Sequence, residues 1–580
     1  MNRLRPLLPL LRPHRLRVAA GLGAILCSAA LGLAAPLLIG AAVDAFLAEV
    51  TLATLVRYAL LLIAVTAVQG VFSFAQRLLL VTVSRDVEYA FRQQYFLSLT
   101  RQPLTFFQQA RVGDLMARAT NDLQAVRMIC GPAIMYSANT LFTGLGALFF
   151  MLRIHPGLTG AALVTMPLVA LATQVIGQRV HTLFDRVQSQ FADLSTSVQE
   201  NLAGVRVVRA YAREEAQVEH FRELNREYVD RNRRLARWSA ASRPLIQLLV
   251  GFGFVVALGG GGLLAVRGAI SVGEFVSFNF FLGKLVWPMI AIGWVINLVQ
   301  RGAASLARLR EVAEREPEIR EPAAPVAPRA TAGEVEVIDL TFSFPAASRP
   351  VLSDVELRVA AGETVAFVGR TGAGKSTLLS LIPRLLDPEP GRVRVDGVDV
   401  REWSLEELRR RIGVVPQETF LFSTTVRENI LMASPEATPE ALEAAVRTAG
   451  LDDDVLTFPN GLETLVGERG ITLSGGQKQR VALARALLSD PRILILDDCL
   501  SAVDTRTEER ILSRLESVFA TRTVLLVSHR ISTVRQADRI VVLERGRVSA
   551  VGTHRELVEG GGLYADLDRR QRLEDELAAV

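Results

Sequence analysis

Nine residues, Gly369-Arg-Thr-Gly-Ala-Gly-Lys-Ser-Thr377, have the types and spacing needed to grip a phosphate chain. They satisfy G-x-x-x-x-G-K-[ST], in which Gly369, Gly372 and Gly374 let backbone N–H groups turn toward phosphate oxygens at a helix N-terminus. Lys375 reaches the β- and γ-phosphates and the Ser376 hydroxyl is placed to ligate Mg²⁺, with Thr371 and Thr377 among the nucleotide-contacting residues. Three further groups could share that chemistry. Asp497 ends the apolar run Leu494-Ile-Leu-Asp497 and could hold Mg²⁺ opposite Ser376, with Asp498 next to it. His529 ends Val524-Leu-Leu-Val-Ser-His529. Leu473-Ser-Gly-Gly-Gln477, taken alone, reads as a small-residue turn.

The surrounding elements suit these residues. Thr364–Val368 is an apolar run with the character of a buried strand, and Leu378–Ile382 reads as the opening of a helix. The phosphate loop requires that strand–loop–helix context. From Glu334 onward strand-like runs alternate with helical patterns, which predicts an α/β domain around a largely parallel sheet.

The other half of the chain is different. At 580 residues and 50% apolar, the chain is too long for one domain and too hydrophobic for an ordinary soluble protein. Net charge is only +5 and no basic tail is present, so nucleic acid is not an expected partner. Three lysines (Lys284, Lys375, Lys478) leave arginine to carry nearly all positive charge, a bias pointing to a GC-rich genome. Cys27, Cys130 and Cys499 have neither metal-ligand nor paired spacing, which fits a reduced cytosolic face.

Apolar windows from about Val18 past Ile39, then near 55–81, 131–152, 158–177, 245–266 and 275–299, predict six membrane spans. The arginines of residues 1–17 and of the long connections 82–125 and 178–236 place the N-terminus and those connections on the cytoplasmic side of the membrane. Their helical periodicity predicts that the membrane helices run on beyond the bilayer. Within the connections, Gly113–Asp122 and Asn201–Ala210 read as short helices suited to transmitting movement. Lys284 falls near the middle of span six, where a cation costs at least ~2.5 kcal/mol, so it should face a water-filled cavity or an acidic partner. The expected domains are therefore an all-α six-helix transmembrane domain (1–315), a proline-rich linker (316–332) and an α/β P-loop nucleotide-binding domain (333–580).

Leu473–Gln477, downstream of a phosphate loop and just before an acidic strand, closely resembles the signature of ATP-binding cassette (ABC) transporters. The resemblance covers essentially the whole chain and is that of a half-transporter of the exporter type. The run from Phe106 to Leu115 (FF-x-x-x-x-x-G-D-L) and Gly204–Tyr211 match the coupling regions of that type. The resemblance implies ATP and Mg²⁺ as cofactors, with Phe344 stacked on adenine where tyrosine is usual. It also implies that Gln417 contacts Mg²⁺ and the attacking water, and that His529 acts as the switch on the γ-phosphate. Ser474, Gly475, Gly476 and Gln477 would bind ATP held by a second half-transporter, and Ser501–Asp504 would cross the interface between them.

One residue departs from the pattern. The family places glutamate where Asp498 stands. A carboxylate about 1.5 Å short can cost on the order of 10²-fold in rate. Asp498 therefore makes the chain similar to the degenerate-site subunit of heterodimeric multidrug and peptide exporters, moving hydrophobic, amphipathic or peptide substrates among membrane lipids. The alternatives are a homodimeric lipid flippase or exporter and, in another class, an ATP-regulated membrane sensor.

Overall fold

The computed structural model describes residues 7–326, 331–345 and 347–578. The chain forms two compact units, one of Met1–Thr100 with Gly113–Arg315, the other of Arg101–Val112 with Glu316–Val580.

The first unit is built of long helices: α1 (Arg15–Ala48), α2 (Leu52–Thr100), α4 (Val112–Ile154), α5 (Pro156–Leu163), α6 (Thr165–Ala203), α7 (Val205–Ala210), α8 (Glu214–Val266) and α9 (Val272–Ala313); α3 (Leu104–Gln109) belongs to the second unit. Among the described residues five helices are long and apolar enough to cross a membrane. The expected fourth span, 158–177, is interrupted at Val164 between α5 and α6. Pro167 explains the break, because it has no N–H to donate to the Leu163 carbonyl one turn earlier. At 49 and 53 residues, α2 and α8 are about 74 and 80 Å long, far more than a bilayer of about 30 Å needs.

Small residues and a few polar contacts set the helix crossings. A Cβ on Gly40 of α1 would lie 2.5 Å from the Gly273 carbonyl oxygen of α9, so only glycine permits this approach. Around it, Ser277 Oγ donates to the Pro36 carbonyl (2.9 Å), and the Asp44 carboxylate accepts from Ser271 Oγ and Gly273 N–H (both 2.6 Å). Further along, Arg308 grips Asp122 through two guanidinium nitrogens while Ser305 Oγ donates to the same carboxylate.

The connections differ from expectation in one place. Gly113–Asp122 is not a separate short helix but the beginning of α4, which continues through π-helical turns at Arg118–Asp122 and Ile129–Ala133. The separate short helix is α3, bounded by Pro103 and by the extended Ala110. In the second connection α6 ends at Gly204 and α7 forms the short helix. The linker is not a free tether either. Val326 N–H donates to Glu402 O, and the Glu321 carboxylate accepts from Leu405 N–H at the start of helix Leu405–Arg410. Pro328 lies outside the described residues.

The second unit carries two sheets. β1 (Val335–Phe342), β2 (Leu352–Val359), β4 (Val393–Val395) and β5 (Val398–Asp399) form an antiparallel sheet in the order β2-β1-β4-β5. β3 (Thr364–Val368), β6 (Ile412–Val415), β7 (Ile493–Asp497), β8 (Thr523–Val527), β9 (Arg539–Glu544) and β10 (Arg547–Gly552) form the second, ordered β10-β9-β3-β8-β7-β6 and parallel except at β10. β3, β7 and β8 are buried at every position, which is why they read as continuous apolar runs rather than alternating ones. The antiparallel sheet was not foreseen.

Candidate functional site

Parallel pairing brings the carboxyl ends of β3, β8, β7 and β6 to one edge, and that edge is where α/β sheets bind ligands. The phosphate loop leaves β3 and enters α10 (Lys375–Leu381). At Gly369 a Cβ would sit 2.3 Å from the Leu543 carbonyl oxygen, and Gly374 has φ +98°, a left-handed conformation that side-chain-bearing residues rarely adopt. Lys375 is buried, its ammonium donating to the carbonyl oxygens of Gly369 (2.7 Å) and Arg370 (3.2 Å).

A cavity of about 190 Å³ opens beside the loop. Thr371, Gly372, Gly374, Lys375, Ser376 and Thr377 form one side, and Gln417, Asp497, Asp498 and His529, each from the end of a neighbouring strand, form the other. Burial pushes the Lys375 pKa down, opposed by the charges of Asp497 and Asp498. Burial pushes the Asp497 carboxyl up; the hydrogen bond from Ser376 opposes the rise and the neighbouring Asp498 charge adds to it. This buried carboxylate, bonded to the Ser376 hydroxyl and crowded by a second acid, suits a hard divalent cation that takes few protein ligands and completes its shell with phosphate and water. Asp498 adopts φ +50° at the bend after β7, its N–H donating to Val527 O (2.9 Å). Aspartate tolerates that left-handed bend better than most residues do.

Besides Gly369, which is held against Leu543, two of the expected groups lie outside the cavity wall. Phe344 follows β1 and packs edge-on against Phe342, ring centroids 5.3 Å apart. The signature opens helix α11 (Gly475–Leu488). Ser474 Oγ accepts from Gln477 N–H and the Gln477 side chain accepts from Ser474 N–H, a reciprocal capping box that explains why S-x-x-Q starts a helix here. Asp454 fixes the same end, accepting from Gln477 Nε2 (2.9 Å) and Arg480 (2.6 Å). Gly475 and Gly476 lie against Ala502, where a Cβ on Gly476 would be 2.9 Å from the Ala502 carbonyl oxygen.

Sequence reasoning missed the residues that tie these parts together. Gln479 of α11 accepts from Ala502 N–H and donates to Ser501 Oγ, both at 3.0 Å, joining the signature helix to the Ser501–Asp504 loop. Arg530, directly after His529, pairs with the buried Glu508 of α12 (Thr505–Phe519) and donates to Val503 O (3.0 Å). Glu508 also accepts from Thr533 Oγ1. Arg530 could have been suspected from its place beside His529; Glu508 carries no such signal, because one acid on a charged amphipathic helix looks like any other.

Comparison with known proteins agrees with this geometry. Residues 18–289 match the ABC transporter transmembrane region and residues 352–501 match the ABC transporter domain. A Bacillus subtilis protein described as a "Probable multidrug resistance ABC transporter ATP-binding/permease protein" is 39% identical over 82% of this chain and 81% of its own length. An "ATP-dependent lipid A-core flippase" of Syntrophus aciditrophicus is 33% identical over 100% of this chain and 96% of its own. The solved structure of a bacterial Atm1-family ABC exporter with ATP bound superposes with a TM-score of 0.78 at 28% identity, covering 96% of this chain and 99% of that one. ATP and Mg²⁺ are the cofactors general to such proteins, which are integral to the membrane and work as dimers. The chain belongs to the ATP-binding cassette transporter family, as an ATP-hydrolysing exporter with a helical membrane domain and an α/β nucleotide-binding domain.

Proposed function

We propose that this chain is one half of an exporter of hydrophobic, amphipathic or peptide substrates, paired with a catalytically complete partner chain in a bacterial inner membrane. Its domains are taken as 1–315, a linker over 316–332, and 333–580, with the N-terminus and the nucleotide-binding domain cytoplasmic, as the arginine distribution favours. The observation that carries the reading is the separation of Ser474–Gln477 from the wall of the phosphate cavity: one chain holds both halves of an ATP site without joining them.

In this reading the phosphate-loop N–H groups and Lys375 bind the triphosphate of ATP, with Phe344 against adenine. Ser376, Asp497 and Gln417 hold Mg²⁺, which supplies charge neutralisation on the phosphates. Asp498 orients water, His529 donates to the γ-phosphate, and Ser474, Gly475, Gly476 and Gln477 serve the partner's ATP. Asp498, one methylene shorter than glutamate, makes this chain's own site the slow one.

Steady-state ATPase of the purified native complex tests the assignment. Asp498→Ala is expected to change turnover little, whereas Ser474→Arg is expected to lower it by more than about tenfold because it damages the partner's site. Loss of turnover in Asp498→Ala alone would overturn the slow-site reading. It would favour the second reading, a homodimeric flippase or exporter, which the full-length similarity to a lipid A-core flippase supports.

A further inference from the structure

Lys284 is half-buried in the middle of α9 and, among the described residues, has neither a hydrogen-bond partner nor a carboxylate beside it. The sequence offers no answer to its charge. Across 18–81, 131–177 and 245–299 the only carboxylates are Asp44, Glu49 and Glu274. Asp44 is occupied by Ser271 and Gly273, Glu274 accepts from Ser271 N–H at the start of α9, and Glu49 ends α1. Glu274, on the same helix, is ten residues away, about 15 Å along its axis. A second copy of this chain would bring the same set, so a homodimer would not supply the counter-charge either.

The neighbourhood of Lys284 is amphipathic. On one side of it α9 exposes Phe280, Trp287 and Trp294, the last packed edge-on to Tyr136 of α4 at 5.0 Å. On the other side, beginning at Leu285, the next residue in the chain, lies a cavity of about 480 Å³ between α4 and α9, within the size range of ligand pockets. Its walls include Leu141, Leu145, Met289 and Ile292, and among the described residues the polar side chains in them are Ser137 and Thr140. Thr140 Oγ1 is buried there without a hydrogen-bond partner among the described residues.

We propose that this stretch binds an amphipathic anion, its carboxylate or phosphate head on the Lys284 ammonium and its apolar tail in the cavity between α4 and α9. The proposal rests on the exporter reading and names the substrate class of that exporter. The counter-charge that this chain's membrane helices lack then comes from the ligand, and the unpartnered cation and the apolar cavity are two ends of one site.

The test uses the full-length protein, in its native complex, in phosphatidylcholine nanodiscs at pH 8. Binding is titrated with dansyl-undecanoic acid and its methyl ester, and in a parallel arm with fluorescent phosphatidic acid and phosphatidylcholine. The anion is expected to bind about tenfold tighter than its neutral counterpart, the scale of one charge-assisted contact. Lys284→Gln and Lys284→Met should erase that preference while leaving ester affinity in place, and Lys284→Arg should keep it. A Lys284-dependent preference in the fatty-acid arm identifies a free amphiphile, and in the phosphatidic-acid arm a membrane lipid. No preference in either arm, or a preference that survives both neutral variants, overturns the proposal. ATP-dependent accumulation in inside-out vesicles separates the two readings. Accumulation of neutral probes without charge discrimination keeps the exporter and removes this site; charge-selective binding without accumulation of any probe keeps the site and counts against the exporter.

Discussion

Asp497 and Lys375 show what the phosphate cavity costs the fold. Burial raises the Asp497 pKa and lowers that of Lys375, so each charged form is disfavoured where it stands. For Asp497 the folded-state pKa lies above the unfolded value. Its contribution to stability is therefore whole below the unfolded pKa and is lost as pH rises through the raised one. At neutral pH the ionised carboxylate works against the apo fold, and Asp497→Asn is expected to raise the apo melting temperature while weakening Mg-ATP binding at this chain's own site. Thermal unfolding with and without Mg-ATP checks this: Mg-ATP should stabilise the wild type more than the variant, and an apo melting temperature that falls in the variant would contradict the argument. Lys375→Ala should weaken ATP at this chain's own site by at least about tenfold, read by fluorescent-nucleotide titration, because the phosphates lose the point charge of a buried ammonium.

Among the elements, two contacts decide the arrangement. Arg530 joins the end of β8 to α12 through the buried Glu508, so it holds His529 and the Ser501–Asp504 loop to a common frame. Removing one partner of such a pair strands the other charge, whereas replacing both with apolar groups relieves it. Arg530→Met alone is expected to destabilise the protein by about 3 kcal/mol, and Glu508→Leu with Arg530→Met to recover most of that loss, as thermal or denaturant unfolding of the full chain would measure. The crossing of α1 and α9 gives a sharper steric case. Gly40→Ala would drive a methyl group to within 2.5 Å of backbone and should reduce folded yield, while Gly23→Ala, with nothing within 4 Å, should not.

For the whole molecule, the separated halves of the ATP site make complementation diagnostic. Lys375→Ala disables the phosphate loop and Ser474→Arg the signature. If two copies of this chain pair, co-expressing the two variants creates one intact site in each mixed dimer, about a quarter of all sites on random pairing. If the partner is a different chain, no such rescue occurs. ATPase of the co-expressed pair against each variant alone decides between them, and restored activity would refute the heterodimer.

How much of this was legible in the sequence depends on how local its cause is. The phosphate loop, the acidic end of β7, the S-x-x-Q start of α11 and the five uninterrupted apolar helices follow from periodicity, spacing and glycine, which act over a few residues. Even the break at Val164 had its cause in print at Pro167, although the hydropathy window passed over it. By contrast, α3 and not Gly113–Asp122 is the separate short helix, because the extended backbone at Ala110 ends one helix and lets Val112 begin another. The pairing of β1 with β4, the Glu508–Arg530 pair and the cavity beside Lys284 needed partners 22 to more than 100 residues apart. The sequence by itself determined which residues carry chemistry and which strands and helices bear them. Only the tertiary structure decided which of those residues meet: parallel pairing aligns the ends of β3, β8, β7 and β6 on one cavity, and the same packing leaves the signature outside it.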